Sequence, residues 1–271
     1  MTTTATLNVR GEIITPEVAS AYLALNTHNR AEKKGQLAKY VHDMVNGDWV
    51  WNGESIKFGD NGALLDGQHR LEAIIKAGVA IQMLVIRDLP VATQETMDGG
   101  ARRSFADALK LRGETQVTLL AAVANIVSMW RSGDRNFSGY AGHKATNADL
   151  SRTLERFPEL REATRKGGLI QKTAGLTGAV AGLSWWLFSR IDASDAEFFF
   201  ERLVSDQGHQ LGNPIYTLRR TLVSDKAKGR GRRETLALVI KAWNKYRAGS
   251  ECSILTFRSG GAKPEAFPEP V

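Results

Sequence analysis

The chain has 271 residues, of which 42% are hydrophobic, enough to bury the core of one large domain or two modest ones. Its longest apolar run, residues 176–188, is shorter than the roughly 20 residues that cross a bilayer, and no secretory signal is expected in residues 1–9. The single cysteine, Cys252, excludes an internal disulfide framework and is typical of a reducing cytoplasm. The five histidines lack metal-ligand spacing, so a zinc site is not expected.

The net charge of +7 is distributed unevenly along the chain. Residues 1–100 contain 9 basic and 12 acidic side chains, a net charge of −3, whereas residues 101–271 contain 27 and 17, a net charge of +10. A basic domain attracts polyanions and contacts phosphates in a salt-dependent way. The second half is therefore expected to carry a nucleic-acid surface, and a merely solubilising surface is the alternative.

A strand–turn–helix with an unusually polar turn is predicted near the end of the first quarter of the chain. Residues 55–58 are predicted to form a strand, residues 59–62 a hairpin turn and residues 63–65 the return strand. A helix follows over residues 71–77, and Gly78 is suited to its C-terminal cap. The turn itself consists of Asp66, Gly67, Gln68, His69 and Arg70.

Two interpretations of this turn are open. The start of a helix offers unpaired N–H groups and a positive dipole, which suit a phosphate or carboxylate that Arg70 would clamp bidentately. Alternatively, Asp66 is the N-cap and Arg70 pairs with it at i,i+4 on a solvated face. A second turn of similar composition, residues 98–103, follows another predicted strand over residues 81–86 and favours a shared anionic ligand. Beyond it, Ser104 and Asp107 resemble a capping box.

The second half of the chain is predicted to be helical throughout. Helices are expected over residues 117–130, 146–157, 158–165, 178–188, 196–204 and 236–246, and another begins at residues 213–216. The pair at 146–165 fits either a helix-turn-helix or an ordinary bundle pair, with Arg152, Arg156, Arg161 and Arg165 on exposed faces. Residues 226–233 are predicted to form a basic loop spaced by glycines, and such a loop suits the phosphate backbone of a nucleic acid. The predicted DNA-binding residues are Arg219, Arg220, Lys226, Lys228, Arg230, Arg232 and Arg233.

The run from Asp66 to Leu71, with Ala73 and Ala77-Gly78, resembles the N-terminal domain of the ParB/sulfiredoxin superfamily. It is most similar to a phage- and plasmid-borne branch with a DGQHR motif. Further elements of that branch are found here as Thr15-Pro16-Glu17, Asn26-Thr27-His28-Asn29-Arg30, Gly47-Asp48-Trp49 and Asp98-Gly99-Gly100-Ala101-Arg102-Arg103. The resemblance implies an α+β protein. Its expected parts are a ParB/sulfiredoxin-like α/β domain over residues 1–112 and an all-helical basic domain over 113–258; the Gly- and Pro-rich residues 259–271 are expected to be a disordered tail.

The resemblance also implies a nucleotide site, because this motif commonly binds nucleotide phosphates in the superfamily. The expected phosphate-binding residues are Gly67, Gln68, His69, Arg70, Asn29, Arg30, Asp98, Arg102 and Arg103, and Asp66 or Asp98 would hold magnesium. The chain departs from partition proteins, which have Glu-Arg-Arg where Gln68-His69-Arg70 stand. It also lacks the Gly-Cys-His-Arg signature of sulfiredoxin, which excludes sulfinic-acid reduction.

The expected function is ATP or CTP binding with magnesium at the first domain, coupled to DNA binding through the second. The expected location is the cytoplasm of a bacterial host cell, with no membrane partner. One alternative is an enzyme (an NTPase, nuclease, phosphotransferase or DNA-modifying enzyme) that uses Asp66 or His69 as general base. Another is a phage inhibitor or sequestering protein. A homodimer remains open because partition relatives dimerise, although no heptad pattern indicates a coiled coil.

Overall fold

The computed structural model describes residues 8–26, 34–96, 104–137, 145–205, 210–225, 230–261 and 263–271. In these ranges the chain is of mixed α and β class, with eleven α-helices, one short 3-10 helix at Val91–Thr96 and four strands. The chain divides into two compact units. The first comprises residues 1–102 and 142–148, and the second comprises residues 103–141 and 149–271.

The first unit is built on a four-stranded mixed sheet. Its strands are β1 (Asn8–Ile14), β2 (Ser55–Gly59), β3 (Leu64–Asp66) and β4 (Ile81–Leu89), in the order β1-β4-β2-β3. β1 pairs with β4 and β2 with β3 in antiparallel fashion, whereas β2 and β4 are parallel. A parallel pair needs a crossover connection, and here the chain passes through β3 and a helix between the two strands. The strands predicted over residues 55–58, 63–65 and 81–86 are confirmed as β2, β3 and β4.

Three helices of the first unit contribute to its core: α1 (Pro16–Leu23), α2 (Lys34–Val45) and α3 (Gln68–Ala77). The side chain of Thr15 caps α1 by accepting from the Val18 N–H. Gly78 ends α3 in the left-handed conformation at φ 67°, as predicted. Helices and sheet share one apolar core, in which Ile14, Ala19, Leu37, Met44, Ile56, Phe58, Leu64, Leu71, Ile74, Met83 and Val85 are buried.

The second unit is helical in the residues that the structure describes. Its helices are α4 (Phe105–Leu111), α5 (Val117–Arg131), α6 (Asn147–Arg156), α7 (Leu160–Ala174), α8 (Gly178–Ser189), α9 (Ala193–Val204), α10 (Pro214–Asp225) and α11 (Arg232–Arg247), with the division between units falling inside the first turn of α6. The predicted capping box of Ser104 and Asp107 begins α4. None of the helices in the described ranges has the length and apolarity that a membrane span requires.

The most buried helix of this unit is α8, which is apolar on every side. It packs closely on α7: a Cβ added at Gly167 would lie only 2.5 Å from the carbonyl oxygen of Gly178.

The short helix predicted over residues 158–165 is wrong in length. Gly167 and Gly168 predict an end of this helix, yet it continues to Ala174, and Gly167 lies against the backbone of α8.

The C-terminal segment also differs from the expected disordered tail. Phe267 contacts the rings of Trp130, Phe137 and Phe257 at centroid distances of 6.2, 5.9 and 5.8 Å. The Nε1 of Trp243 donates to the Val271 carbonyl at 2.9 Å. Glycine and proline make this stretch irregular, but its aromatic and backbone groups have partners in the helical unit.

Candidate functional site

The polar turn Asp66–Arg70 comprises the end of β3, Gly67 and the first turn of α3, because the helix begins at Gln68 and not at residue 71. A network of charges centred on Asp66 holds it. Its Oδ2 lies 2.9 Å from Nζ of Lys57 and 3.2 Å from Nη2 of Arg70, and its Oδ1 accepts from the Gly67 N–H at 2.7 Å. Lys57 and Asp66 are register partners across β2 and β3, which explains why they meet. The carboxylate thus ties the sheet to the first turn of α3.

Arg70 is occupied by the protein itself. Only 8% of its side chain is exposed; Nη1 contacts Glu54 Oε2 at 2.7 Å, and Nη2 also donates to the Ser55 carbonyl at 2.7 Å. The i,i+4 pair with Asp66 that the second interpretation predicted is present, but on a buried rather than a solvated face. In this conformation the guanidinium holds the start of β2 against the turn, so its use as a phosphate clamp stays a prediction.

The pKa of Asp66 bears on the expected general base. Burial raises this pKa, but the charge of Arg70 and the hydrogen bond from Lys57 outweigh that effect, so the pKa lies below its usual value. A carboxylate that is stabilised in this way is a weak proton acceptor at neutral pH. The arrangement therefore gives no support to the enzyme alternative through Asp66.

Gly67 occupies the N-cap position of α3, so the alternative interpretation in which Asp66 is the N-cap is wrong. Its φ of 108° favours glycine, and an added Cβ would lie 3.2 Å from the Cα of Ile56. No side chain caps this helix. The N–H groups of Arg70 and Leu71 donate to the carbonyl of Gly67, both at 3.0 Å, and the cap position supplies no side-chain acceptor to the first turn of α3.

Gln68 links the turn to the end of α1. Its Oε1 accepts from Nδ2 of Asn26 at 3.1 Å, and its Nε2 donates to Oε1 of Glu72 at 2.9 Å. The other carboxylate oxygen of Glu72 is buried without a hydrogen-bond partner among the described residues. His69 is half-buried on the same turn. The remaining expected phosphate-binding residues, Asn29, Arg30, Asp98, Arg102 and Arg103, lie outside the described residues.

The surroundings of Asp66 bear on the expected magnesium site. Both of its oxygens already accept from Lys57, Arg70 or the Gly67 N–H, so this carboxylate does not fit a metal ligand in the present arrangement. Among the described residues, no group of three or more Asp, Glu, His or Cys side chains is placed to hold a metal ion.

Sequence reasoning missed a second polar cluster in this unit. Arg87 donates to both carboxylate oxygens of Glu12 and, at 2.7 Å, to the hydroxyl of Tyr22, which itself donates to Glu12 at 2.7 Å. The hydrogen bond from Arg87 outweighs burial and lowers the pKa of Glu12, whereas burial raises the pKa of Tyr22. These residues lie on β4, β1 and α1, far apart in sequence, so no local pattern could have indicated the cluster.

In the second unit, two of the expected DNA-binding arginines have internal roles. Nη1 of Arg219 donates to the carbonyls of Leu203 and Ser205 at 2.8 and 2.9 Å, at the end of α9. Arg233 donates to the carbonyls of Arg135 and Ser259, both at 3.2 Å. Arg220 and Arg232 are exposed and Arg230 is half-buried, whereas Lys226 and Lys228 lie outside the described residues.

The arginines of the predicted helix pair differ in their partners. Arg152 contacts Asp149, Arg161 contacts Glu114 and Arg165 contacts Glu162. Arg156 makes no ion pair within the part of the chain that the structure describes.

Comparison of the chain with models of protein families, with curated proteins and with solved structures found no match.

Proposed function

We propose that this chain is a ParB/sulfiredoxin-like DNA-binding protein whose first unit binds a nucleotide. The observation that supports nucleotide binding is the uncapped start of α3 at Gly67, built onto a sheet by the network around Asp66. Phosphate groups bind at such helix starts because backbone N–H groups point at the ligand and the dipole is positive. In this proposal the backbone at the start of α3 binds the phosphate, and the side chains of Asp66 and Arg70 hold that backbone in place.

The proposed roles differ from those in the sequence analysis for a physical reason. A guanidinium with three protein acceptors, such as Arg70, would have to give up a buried ion pair before it could clamp a phosphate. A backbone N–H group at the helix start carries no ion pair that a phosphate would have to displace. Gln68, which Asn26 and Glu72 orient, and His69 belong to the first turn of α3.

Thermal unfolding of the full chain tests the nucleotide site. Melting temperatures would be compared with ATP, ADP, CTP and GTP in the presence of magnesium, and with adenosine and cytidine as ligands that lack phosphate. A ligand that binds only the folded state stabilises it by about 2.7 kcal/mol at a hundred times its Kd. We expect one of the nucleotides to raise the melting temperature and its nucleoside to have no effect.

Two charge variants place the effect on the turn. His69→Glu puts a carboxylate into the first turn of α3, where the helix dipole tolerates it but a phosphate is repelled. Gln82→Glu adds the same charge at an exposed position of β4. The nucleotide effect should disappear in the first variant and persist in the second. A wild-type chain that responds to no nucleotide, or an equal response in both variants, would contradict the proposal.

DNA binding is supported by the charge of the second half of the chain and by its arginines. Residues 101–271 carry a net charge of +10, and the exposed Arg156, Arg220 and Arg232 lie on three different helices of this unit or at their ends. Neutralising DNA phosphates releases condensed counterions, so binding of this kind weakens steeply with salt. Binding of a labelled DNA duplex, measured across a salt series, tests this part of the proposal.

A further inference from the structure

Three arginines at the ends of three helices surround one aromatic ring of the second unit. Arg131 is the last residue of α5, Arg156 is the last residue of α6, and Arg190 is the C-cap of α8. Their guanidinium carbons lie 4.6, 5.6 and 5.6 Å from the centroid of the Phe157 ring. Phe157 is buried, whereas the three arginines are exposed. The ring therefore gathers three positive charges at one place on the surface.

This arginine cluster (Arg131, Arg156 and Arg190) contains little compensating negative charge. Glu159 accepts from Nη1 of Arg190 at 3.0 Å, and it also accepts from Trp186 Nε1 at 3.0 Å. For Arg131 and Arg156, no ion pair is found with any residue that the structure describes. Partial burial, together with the charges of Arg156 and Arg190, lowers the pKa of Arg131. The three guanidiniums thus repel one another in the absence of an anion.

Helix ends explain each arginine separately but not their convergence. A cation is favoured at a helix C-terminus by the dipole, which accounts for one positive charge at the end of each helix. It does not account for three of them on the same ring when the one neighbouring carboxylate among the described residues, Glu159, pairs with Arg190 alone. A bound polyanion would relieve the repulsion, and its phosphate oxygens match the planar donors of a guanidinium.

We infer that Arg131, Arg156 and Arg190 form a binding site for the phosphate groups of a DNA backbone. This inference rests on the proposed DNA binding and identifies where on the helical unit it takes place. The Phe157 ring is buried beneath the guanidiniums, so no aromatic face is offered to a base. Contacts made by these side chains are to phosphate and carry no sequence information. The site is therefore expected to bind duplexes of unrelated sequence equally well.

The test is fluorescence anisotropy of two labelled duplexes of equal length and unrelated sequence, titrated with the full chain across a salt series. The double variant Arg131→Gln/Arg156→Gln removes two charges and spares Arg190, which holds Glu159. The control, Arg152→Gln/Arg165→Gln, removes two charges that are already paired with Asp149 and Glu162 on α6 and α7. A further variant, Arg131→Lys/Arg156→Lys, keeps the charge.

Each phosphate contact contributes about 0.9 to the slope of log affinity against log salt. For both duplexes, we expect the slope of log affinity against log salt to be smaller in the glutamine variant by the contribution of about two phosphate contacts. Its affinity at low salt should be lower by at least about tenfold. The paired control should lose no more than about threefold with an unchanged slope, since exposed paired charges contribute little. The lysine variant should retain the slope. Circular dichroism and melting temperatures establish that every variant is folded.

The outcomes distinguish this inference from the proposed function. If the unaltered chain binds neither duplex, the proposed DNA binding and the inference about the arginine cluster are both wrong. If it binds with a salt slope that the glutamine variant leaves unchanged, or if the paired control loses as much, the arginine cluster is not the site. If labelled polyglutamate binds as tightly as DNA and the glutamine variant loses both, the cluster binds an acidic protein surface and its assignment to DNA is wrong.

Discussion

At the scale of single residues, Arg70 shows how one side chain fits two roles that sequence does not separate. A guanidinium next to a glycine at a helix start suits a phosphate, and it equally suits a carboxylate four residues earlier. The structure gives it Asp66, Glu54 and the carbonyl of Ser55, with 8% of the side chain exposed. Burial is what distinguishes a residue that frames the turn from one that meets a ligand.

Arg70→Ala is therefore expected to destabilise the first unit rather than merely to weaken a ligand. Removing one member of a buried pair leaves the carboxylate of Asp66 poorly compensated, which costs about 3 kcal/mol. The control Arg10→Ala removes the same charge from an exposed position of β1 and should change the free energy of unfolding by less than about 0.5 kcal/mol. Urea unfolding of both variants provides the comparison. Equal stability would show that the Arg70 network is not maintained in solution.

At the scale of elements, the C-terminal segment is a structural part of the helical unit. Its irregular backbone is compatible with disorder when considered alone, yet Phe267 packs among three aromatic rings and Lys241 reaches Glu265 at 3.0 Å. Charged and aromatic side chains of α11 thus contact residues of the C-terminal segment. Irregular backbone does not imply the absence of packing when side chains can be buried.

Phe267→Ala tests this packing. Losing the ring leaves a cavity beside Trp130 and Phe137, and because Phe267 is half-buried we expect a loss of about 2 kcal/mol in the free energy of unfolding. Ile254→Ala, at a side chain that is 78% exposed in the same region, serves as the control and should be nearly neutral. Chemical denaturation measures both. A neutral Phe267→Ala would support the disordered tail that composition alone predicted.

At the scale of the whole molecule, the two units differ in charge and in architecture. The first unit is built on a sheet and three helices, and residues 1–100 carry a net charge of −3. The second unit is helical, and residues 101–271 carry a net charge of +10. If the proposed nucleotide and DNA sites influence each other, the coupling must be reciprocal, because a ligand shifts an equilibrium only by its differential affinity.

Measured binding should show this reciprocity. The factor by which a saturating nucleotide changes the affinity for a DNA duplex is expected to equal the factor by which DNA changes the affinity for that nucleotide. Anisotropy of labelled DNA gives the first factor, and calorimetric titration of nucleotide into the DNA complex gives the second. His69→Glu should set the first factor to one while leaving DNA binding itself intact. Two factors of one in the wild-type chain would make the sites independent.

Local patterns in the sequence determined the elements whose causes are themselves local. The strands on either side of the hairpin, the glycine that ends α3, the capping box at Ser104 and the helical character of the second half all follow from interactions between residues a few positions apart. The uneven charge is likewise a property of composition. The sequence also pointed to the polar turn, because an acid, a glycine, an amide, an imidazole and a guanidinium stand together there.

Long-range packing determines which of these polar groups already have partners within the protein. Burial and distant partners assign Arg70 to the support of the turn, bring Glu12 and Arg87 together from separate strands, and pack Phe267 against Phe137. They also gather Arg131, Arg156 and Arg190 on one ring, although each stands at the end of a different helix. Contacts of this kind depend on how helices and strands pack across long separations, and a one-dimensional pattern of residues does not record that packing.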